Sequence, residues 1–287
     1  MKNGNEKDEY MDWNKSNTIL IIAFVILNII LLASYFNNAH TEDYNVMNDE
    51  QFVESVEELL KQKNITVNCE ISEQTYVMPI LDTEYEMIDI NNEIIQNYLG
   101  SGVEAVEDVY VYNNDNGETL EIINGKKLSY TIREKIQGKH PTEDEMSVLI
   151  NDFVEEKNIS MEGYTENRTY VAEDSCVYSF TQSYNDYSME NSYMNFYADE
   201  NGIYKFEMQR INQVKEITEK VRTVTAVEAL MRLLTYDDVS DKEIIKIEMT
   251  YYSMEDENWQ YIARINSDPA WKVIFSDGTQ KHLPNAD

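Results

Sequence analysis

Residues 141–159, PTEDEMSVLINDFVEEKNI, have the pattern of an amphipathic helix with its own start signal. Thr142 and Glu145 have the spacing of a capping box, in which each side chain accepts a hydrogen bond from the backbone N–H of the other residue. Behind them, apolar residues recur three or four positions apart, which places them on one face of a helix. These residues are Met146, Ile150, Phe153 and Val154. The stretch therefore predicts a helix that packs this face on a core.

A shift of 94 residues, from 63 to 157, relates this helix to an earlier one that begins after Asn48 or Asp49. The shift superposes Phe52, Val56, Leu59 and Leu60 on the four apolar residues named above. It also superposes Lys63-Asn64-Ile65 on Lys157-Asn158-Ile159, and Thr75-Tyr76-Val77 on Thr169-Tyr170-Val171. One interpretation is a duplicated helix–strand unit with a boundary near residues 138–141. The alternative is a chance similarity between two amphipathic helices.

The remaining segments are mostly strand-like. Two shorter helices are predicted, at residues 91–99 and at 225–236, and the second should bury Val227, Leu230, Met231 and Leu234. Strands are predicted at residues 109–112, 119–123, 176–184, 193–198, 203–209, 244–252, 259–265 and 270–275, with a short last strand after the turn at 276–279. Clusters of antiparallel strands with separate helices predict the α+β class.

Residues 18–36, TILIIAFVILNIILLASYF, contain no charged side chain. At about 1.5 Å rise per residue, a helix of this length spans a bilayer core of roughly 30 Å. The run is longer than the apolar region of a cleaved export signal, and Asn37-Asn38-Ala39 fits a cleavage site poorly. Lysines lie before the run and are missing just after it, which predicts a cytoplasmic N-terminus and an extracellular bulk. We therefore expect an uncleaved, single-pass signal-anchor in the cell membrane.

An amide, Asn28, stands in the middle of this apolar run. In hydrocarbon an amide side chain gains about 1 kcal/mol when it finds a partner on another helix. We predict a partner-binding face around it, made of Ile21, Phe24, Asn28, Leu31, Leu32 and Tyr35. The alternative is that Asn28 is tolerated through self-association or a bond to the backbone.

The composition is strongly acidic, with 54 Asp and Glu against 23 Lys and Arg and a net charge of −31. Such a surface repels nucleic acid and anionic polymers, so no nucleic-acid partner is expected. Only two cysteines occur, Cys69 and Cys176. They could pair in an oxidising compartment, but two isolated cysteines are no disulfide framework, and free thiols are favoured.

The sequence has few signs of catalysis. None of the three histidines, His40, His140 and His282, has the spacing of a metal or catalytic motif with a partner. No glycine-rich phosphate loop, nucleophile elbow or zinc cluster occurs. We expect no catalytic residues, no cofactor, no metal and no small-molecule substrate. The chain is therefore predicted not to be an enzyme.

Two motifs at opposite ends of the chain resemble one family. Met11-Asp12-Trp13-Asn14-Lys15, directly before the apolar run, resembles the start of YycI proteins. Residues 269–278, PAWKVIFSDG, are similar to the C-terminal strand and turn of that family. The resemblance covers about 40 residues directly. Between the two motifs, the chain agrees with the family in the type of residue rather than in the sequence itself. It implies a membrane-anchored accessory regulator of the WalK (YycG) sensor kinase of low-GC Gram-positive bacteria, which controls cell-wall metabolism.

The resemblance also implies a complex with the kinase and with YycH, a sister regulator, and no catalysis. We predict a cytoplasmic tail at residues 1–17, a transmembrane helix at 18–36, and two related α+β domains at 37–138 and 139–287. Two alternatives remain. The chain could be an anchored extracellular binding module for a wall fragment or a cation. An anchored cell-wall hydrolase would need an acid–base pair that the sequence does not reveal.

Overall fold

The computed structural model describes residues 49–89, 92–100, 103–105, 110–173, 175–254 and 262–285. By its internal contacts the chain divides into two units, Met1–Gln51 and Phe52–Asp287, and of the first only residues 49–51 are described. No helix in the described ranges is both long and apolar enough to cross a membrane. The predicted membrane segment at 18–36 lies outside those ranges.

The described residues form four α-helices, one 3-10 helix and fourteen strands, which confirms the α+β class. The helices are α1 (Asp49–Gln62), α2 (Asn92–Leu99), α3 (Glu143–Glu156) and α4 (Ala226–Leu230), and the 3-10 helix is Met231–Thr235. The strands are β1 (Thr66–Val67), β2 (Val77–Tyr85), β3 (Glu104–Ala105), β4 (Val111–Asn113), β5 (Thr119–Ile123), β6 (Lys127–Thr131), β7 (Tyr164–Val171), β8 (Cys176–Tyr184), β9 (Tyr187–Asp199), β10 (Gly202–Gln209), β11 (Ile211–Arg222), β12 (Glu243–Tyr252), β13 (Arg264–Phe275) and β14 (Gln280–Pro284).

All described strands belong to one mostly antiparallel sheet, whose main path runs β11-β2-β13-β12-β9-β10-β6-β5-β4-β3. Beside this path, β14 pairs with β13, β7 with β8, β8 with β9, and β1 with β12. The long strand β9 joins two groups of strands. Its residues 193–199 pair with β8 and β10, whereas Met189 pairs in parallel with Tyr251 of β12.

Two clusters of buried apolar side chains lie on this sheet. The first contains Val56 of α1, Leu230 of α4 and Trp271 of β13, and the second contains Phe153 of α3 and Phe196 of β9. Residues from both sides of position 138 contribute to each cluster. The predicted division into domains at residues 138 and 139 stays a prediction.

The predicted similarity of the two long helices holds for their lengths and C-terminal ends, but not for the whole apolar face, since Leu59 is 38% exposed and its counterpart Phe153 is buried. Both α1 and α3 have 14 residues, and their ends differ by the same 94 positions. Each is followed by an asparagine at positive φ, 58° at Asn64 and 54° at Asn158. The next residue closes a Schellman motif, with Ile65 N–H donating to Leu60 O and Ile159 N–H to Val154 O. The capping box of Thr142 and Glu145 is also confirmed.

The similarity ends after this cap. Residues 164–171 form β7, whereas the equivalent residues 70–76 contain no strand and β2 begins only at Val77. The register of the Thr-Tyr-Val tripeptides therefore does not correspond to one shared strand. The relation between the two halves as duplicated domains stays a prediction.

The helix predicted at residues 225–236 forms with a correction to its buried face. Thr225 and Glu228 make a second capping box, but the α-helix tightens into the 3-10 helix after Leu230. With about three residues per turn, the inward face continues at i+3 and buries Leu233. Met231 is 40% exposed and was wrongly expected to be buried.

The strand predictions also need corrections. The predicted strand at 176–184 matches β8, and the turn predicted at 276–279 is confirmed, with Gly278 at a φ of 80°. Of the strand predicted at 259–265, residues 259–261 lie outside the described ranges and residues 262–263 are not in a strand. The rest of it is continuous with the strand predicted at 270–275, and together they form β13. Six strands were missed: β1, β2, β3, β6, β7 and β11.

Candidate functional site

The side chains of strand β8 point alternately to an apolar face and to a polar face of the sheet. Because successive side chains of a strand point to opposite faces, Tyr178 and Phe180 join the second apolar cluster while Ser179 and Thr181 face the other way. Ser179 is paired across the sheet with Arg168 of β7 and with Asn195 of β9. The polar face of this group of strands is therefore assembled from residues that lie far apart in the sequence.

A cavity of about 460 Å³ lies over this polar face. Its floor includes Arg168, Ser179 and Thr181, together with residues from β9, β10 and β6. Its opposite wall comes from the end of β12 and from β14, and includes Tyr252 and His282. The volume lies within the roughly 300–1,000 Å³ that is common for small-molecule sites.

Amide contacts fix the position where β9 passes between the strand groups. Asn191 donates from Nδ2 to the carbonyl of Ser253 at 3.0 Å, and its Oδ1 accepts from Ser253 N–H at 2.7 Å. Gln209 of β10 donates to the Asn191 carbonyl at 3.0 Å. These three residues line the cavity, and their mutual bonds hold its two sides together.

One wall of the cavity rests on a buried ion pair. Lys272 has no exposed side-chain surface, and its Nζ lies 3.1 Å from Glu190 Oε1 and 3.3 Å from Glu248 Oε1. It also donates to Asn167 Oδ1 at 3.0 Å. Lys272 is paired across the sheet with Glu248 on β12 and His282 on β14. A buried ammonium is stable only with such partners.

Glu190 is the carboxylate that this arrangement keeps ionised. Its side chain is 4% exposed, and its Oε1 accepts hydrogen bonds from Asn167, Ser188 and Thr250. Burial alone raises the pKa of Glu190, but the contact with His282 and the charge of Lys272 outweigh it. The net result is a pKa far below the usual range, so Glu190 is negative at neutral pH.

His282 connects the ion pair to the cavity surface. Its Nε2 lies 3.3 Å from Glu190 Oε2, and its ring stacks on Tyr252 with centroids 4.1 Å apart and planes at 7°. Both rings line the cavity. The stack therefore gives the cavity a flat aromatic wall beside a charged cluster.

Gly278 brings β7 to the turn before β14. Its carbonyl accepts a hydrogen bond from Arg168 Nη1 at 2.5 Å. A Cβ at this position would lie 2.2 Å from Tyr170 Cδ2, and the backbone φ of +80° disfavours any other residue. The close approach of Tyr170 and the turn conformation both require a glycine here.

The two cysteines lie apart from this cavity and carry free thiols. Cys69 packs at the edge of the first apolar cluster and Cys176 is buried in the second. Burial raises the pKa of both thiols, that of Cys176 to about 11. Such thiols are protonated at neutral pH and are poor nucleophiles. No group of three metal-ligating side chains occurs in the part of the chain that the structure describes.

Comparison with known proteins identifies the family. The model of the family described as YycI protein matches residues 44–285. The chain belongs to the YycI family. This membership confirms the predicted family, and the matched range includes the motif at residues 269–278. It also supports a regulatory accessory role in the WalK (YycG) pathway. A search of curated proteins gave no significant match.

Several solved structures share some likeness with this YycI-family chain. An uncharacterised protein from Eubacterium rectale has a TM-score of 0.43 at 11% identity, covering 82% of this chain and 94% of that one. YycH from Bacillus subtilis has a TM-score of 0.49 at 13% identity, with coverages of 77% and 56%. The C-terminal domain of YpeB from Bacillus megaterium has a TM-score of 0.33 at 9% identity, with coverages of 69% and 99%. All three TM-scores lie below 0.5, so we draw no functional conclusion from them.

The predicted site and the observed cavity involve different residues. The predicted membrane face around Asn28 lies outside the described residues. Glu190 and Arg168 line the observed cavity and Lys272 supports its wall, but none of the three was predicted from the sequence as a member of a site. Lys272 had a visible signal, since it is the one charge in the apolar run AWKVIF. Glu190 and Arg168 stand in ordinary polar strands, where nothing local marks them.

Proposed function

We propose that the chain is a non-enzymatic, membrane-anchored accessory regulator of a WalK (YycG)-like sensor histidine kinase that controls cell-wall homeostasis. The match of residues 44–285 to the YycI family carries this proposal. The chain acts in a complex with the kinase and a YycH-like protein. Its N-terminus lies in the cytoplasm, residues 18–36 span the membrane, and the α+β part lies outside the cell.

The membrane helix is the proposed point of contact with the kinase. Asn28 is the polar group of that helix, and an amide in hydrocarbon favours a partner on a neighbouring helix. The face formed by Ile21, Phe24, Asn28, Leu31, Leu32 and Tyr35 docks on the transmembrane helices of the kinase. A change in this packing biases the kinase between two states, as in other two-state switches.

Co-purification from membranes tests this contact. The full chain is expressed with the kinase, and the kinase recovered with it is compared among the native chain, Asn28→Leu and Ile30→Leu. Ile30 is the matched control, since it lies about 200° around the helix from Asn28. We expect Asn28→Leu to lower recovery severalfold, with a loss of about 1 kcal/mol, and Ile30→Leu to leave it unchanged. Equal recovery with all three chains would refute the helix contact.

A second candidate is an anchored extracellular binding module, and the cavity of about 460 Å³ favours it. In that case the membrane helix is only a tether. Replacing residues 18–36 by a scrambled Leu/Ala helix separates the two candidates. The regulator proposal predicts loss of the kinase from the complex, whereas the binding-module candidate predicts full retention of every activity through the extracellular part.

A further inference from the structure

The cavity contains a cation without a carboxylate partner. Arg168 is half-buried on its floor, and burial lowers its pKa more than the charge of Glu190 raises it. In the described ranges of the chain, its one hydrogen bond goes to the Gly278 carbonyl. Among the described residues, no carboxylate lies within ion-pairing distance of Arg168. Four donor N–H groups of a guanidinium therefore remain for another acceptor.

Two hydroxyl groups beside Arg168 are also without partners. Ser179 and Thr181 are 6% and 3% exposed, and both line the cavity. Neither Ser179 Oγ nor Thr181 Oγ1 has a hydrogen-bond partner within the described part of the chain. Buried polar atoms without partners are uncommon because each carries a desolvation cost. Because Arg168 lies on β7 and the two hydroxyl groups lie on the adjacent strand β8, one site contains three donor side chains.

The charges around the cavity favour an anion over a cation. Two ammonium groups balance Glu190 and Glu248: Lys272 contacts both carboxylates, and Lys246 lies 2.6 Å from Glu248 Oε2. Glu207 is in contact with both Lys127 and Lys205, at 3.3 and 2.9 Å. Arg168 is left as an excess positive charge, in a chain whose net charge is −31. A local positive site on such an acidic protein attracts small anions.

We infer that this cavity binds a small polar solute through a carboxylate or phosphate group that contacts Arg168, Ser179 and Thr181. Guanidinium groups form bidentate hydrogen bonds with carboxylates and with phosphates, and the two hydroxyl groups can donate further hydrogen bonds to the same anion. The remaining volume and the amide-rich lining hold the neutral, hydroxyl-bearing part of the solute, with the Tyr252–His282 stack as a flat wall. This inference does not depend on the proposed contact with a kinase.

Titration calorimetry on the full chain in detergent micelles tests the inference. The ligands are inorganic phosphate, glucose 6-phosphate, glucuronate and glucose. We expect both charged sugars to bind and glucose not to bind. Inorganic phosphate separates the oxyanion from the sugar, and weaker binding of phosphate than of glucose 6-phosphate shows that the sugar part is also held. An absence of binding by both charged sugars would overturn the inference.

The matched variants are Arg168→Gln and Arg222→Gln. Arg222 is exposed, donates to Thr75 Oγ1 and, like Arg168, has no carboxylate within ion-pairing distance among the described residues, so both variants change the net charge equally. We expect Arg168→Gln to weaken binding of the charged sugars roughly tenfold or more, as for loss of a charge-assisted hydrogen bond. Arg222→Gln should leave the affinity unchanged. Equal affinities of the two variants would contradict the site.

Thr181→Val provides a second variant in case Arg168→Gln does not fold. It keeps the shape of the side chain and removes only the unpartnered hydroxyl. We expect weaker binding of the charged sugars together with an unchanged or higher urea midpoint without ligand, because a buried unsatisfied group is removed. Unchanged binding, or a lower midpoint that shows the hydroxyl to be bonded in the free protein, would count against its role.

Discussion

Lys272 shows how a single side chain can constrain the surrounding fold. It belongs to a strand whose neighbours Trp271 and Val273 pack into the first apolar cluster, while its own ammonium turns toward Glu190 and Glu248. A buried ion pair adds little stability relative to apolar residues of the same size. Loss of one partner is costly, however, because the other charge then remains buried without compensation. The cluster therefore tolerates few single substitutions.

We predict that Lys272→Met lowers the free energy of unfolding by roughly 3–5 kcal/mol at pH 7. The physical reason is that ionised Glu190, whose side chain is only 4% exposed, loses its counter-charge. Urea denaturation of both proteins measures the difference. Lys281→Met is the control, since Lys281 pairs with Asp238, which is 67% exposed, and such a surface pair contributes less than about 1 kcal/mol.

The pH dependence of this effect has a defined sign. The pKa of Glu190 is lower in the folded chain than its usual 4.5, so its contribution to stability is fully present above that pH. The contribution is lost as the pH falls below 4.5, where the unfolded state takes up the proton first. In Lys272→Met the folded state can also protonate Glu190. The difference between the proteins should therefore shrink in acid, and a constant difference would contradict the pair.

The residues of the cavity could be predicted from the sequence only in part. A lysine inside AWKVIF indicates a buried charge, and the similarity of residues 269–278 to the YycI family drew attention to the same strand. Its partner Glu190 lies 82 residues away. No sequence periodicity predicts a contact between two positions so far apart, because the contact depends on where β9 pairs with β12 in the sheet. Long-range pairing of this kind is a property of the folded sheet.

At the level of elements, α1 and α3 end in the same way. In each, an asparagine takes the left-handed conformation and two backbone hydrogen bonds reverse the chain. Asparagine adopts this conformation more easily than most residues, and glycine adopts it most easily of all. The recurring Lys-Asn-Ile tripeptide is thus a helix stop signal. This local role explains why the sequence alone could reveal it.

We predict that Asn158→Ala lowers the free energy of unfolding by about 1–2 kcal/mol, the cost of placing a Cβ-bearing residue in the left-handed region. Asn158→Gly should cost much less, because glycine takes that conformation freely. The same pair of substitutions at Asn64 should give the same order of effects. Thermal or urea unfolding measures all four variants. Equal losses for alanine and glycine would indicate that the side-chain amide, rather than the backbone conformation, is what matters.

Other elements show the limits of pattern reading. The 3-10 helix after Leu230 changes the spacing of the buried face, and nothing in the apolar pattern announced this tightening. Strand β11 is mostly exposed and rich in charge, so its sequence lacks the alternation of a half-buried strand. It forms because β2 offers it a partner across the sheet. Tertiary pairing decides such segments.

At the scale of the whole molecule, two apolar clusters share one sheet, and β9 runs from one strand group to the other. The α+β class followed from local patterns because enough elements, such as β8 and α3, carry their own signals. The strand order did not follow from local patterns, because neighbouring strands lie far apart in the sequence. Strand β2, for example, pairs with β13 at Leu81 and Ser267. The polar cavity arises at this junction, where residues of seven strands meet. The membrane anchor and the kinase contact remain proposals of the sequence and the family.

The proposed regulatory role is tested most directly by kinase activity in reconstituted membranes. A WalK-like kinase is placed in vesicles alone, with the full chain, or with a chain whose residues 18–36 carry a scrambled Leu/Ala helix, and its autophosphorylation rate is measured. The account predicts a changed rate with the native chain, in either direction, and a return to the rate of the kinase alone with the scrambled helix. The same rate in all three vesicles would contradict it.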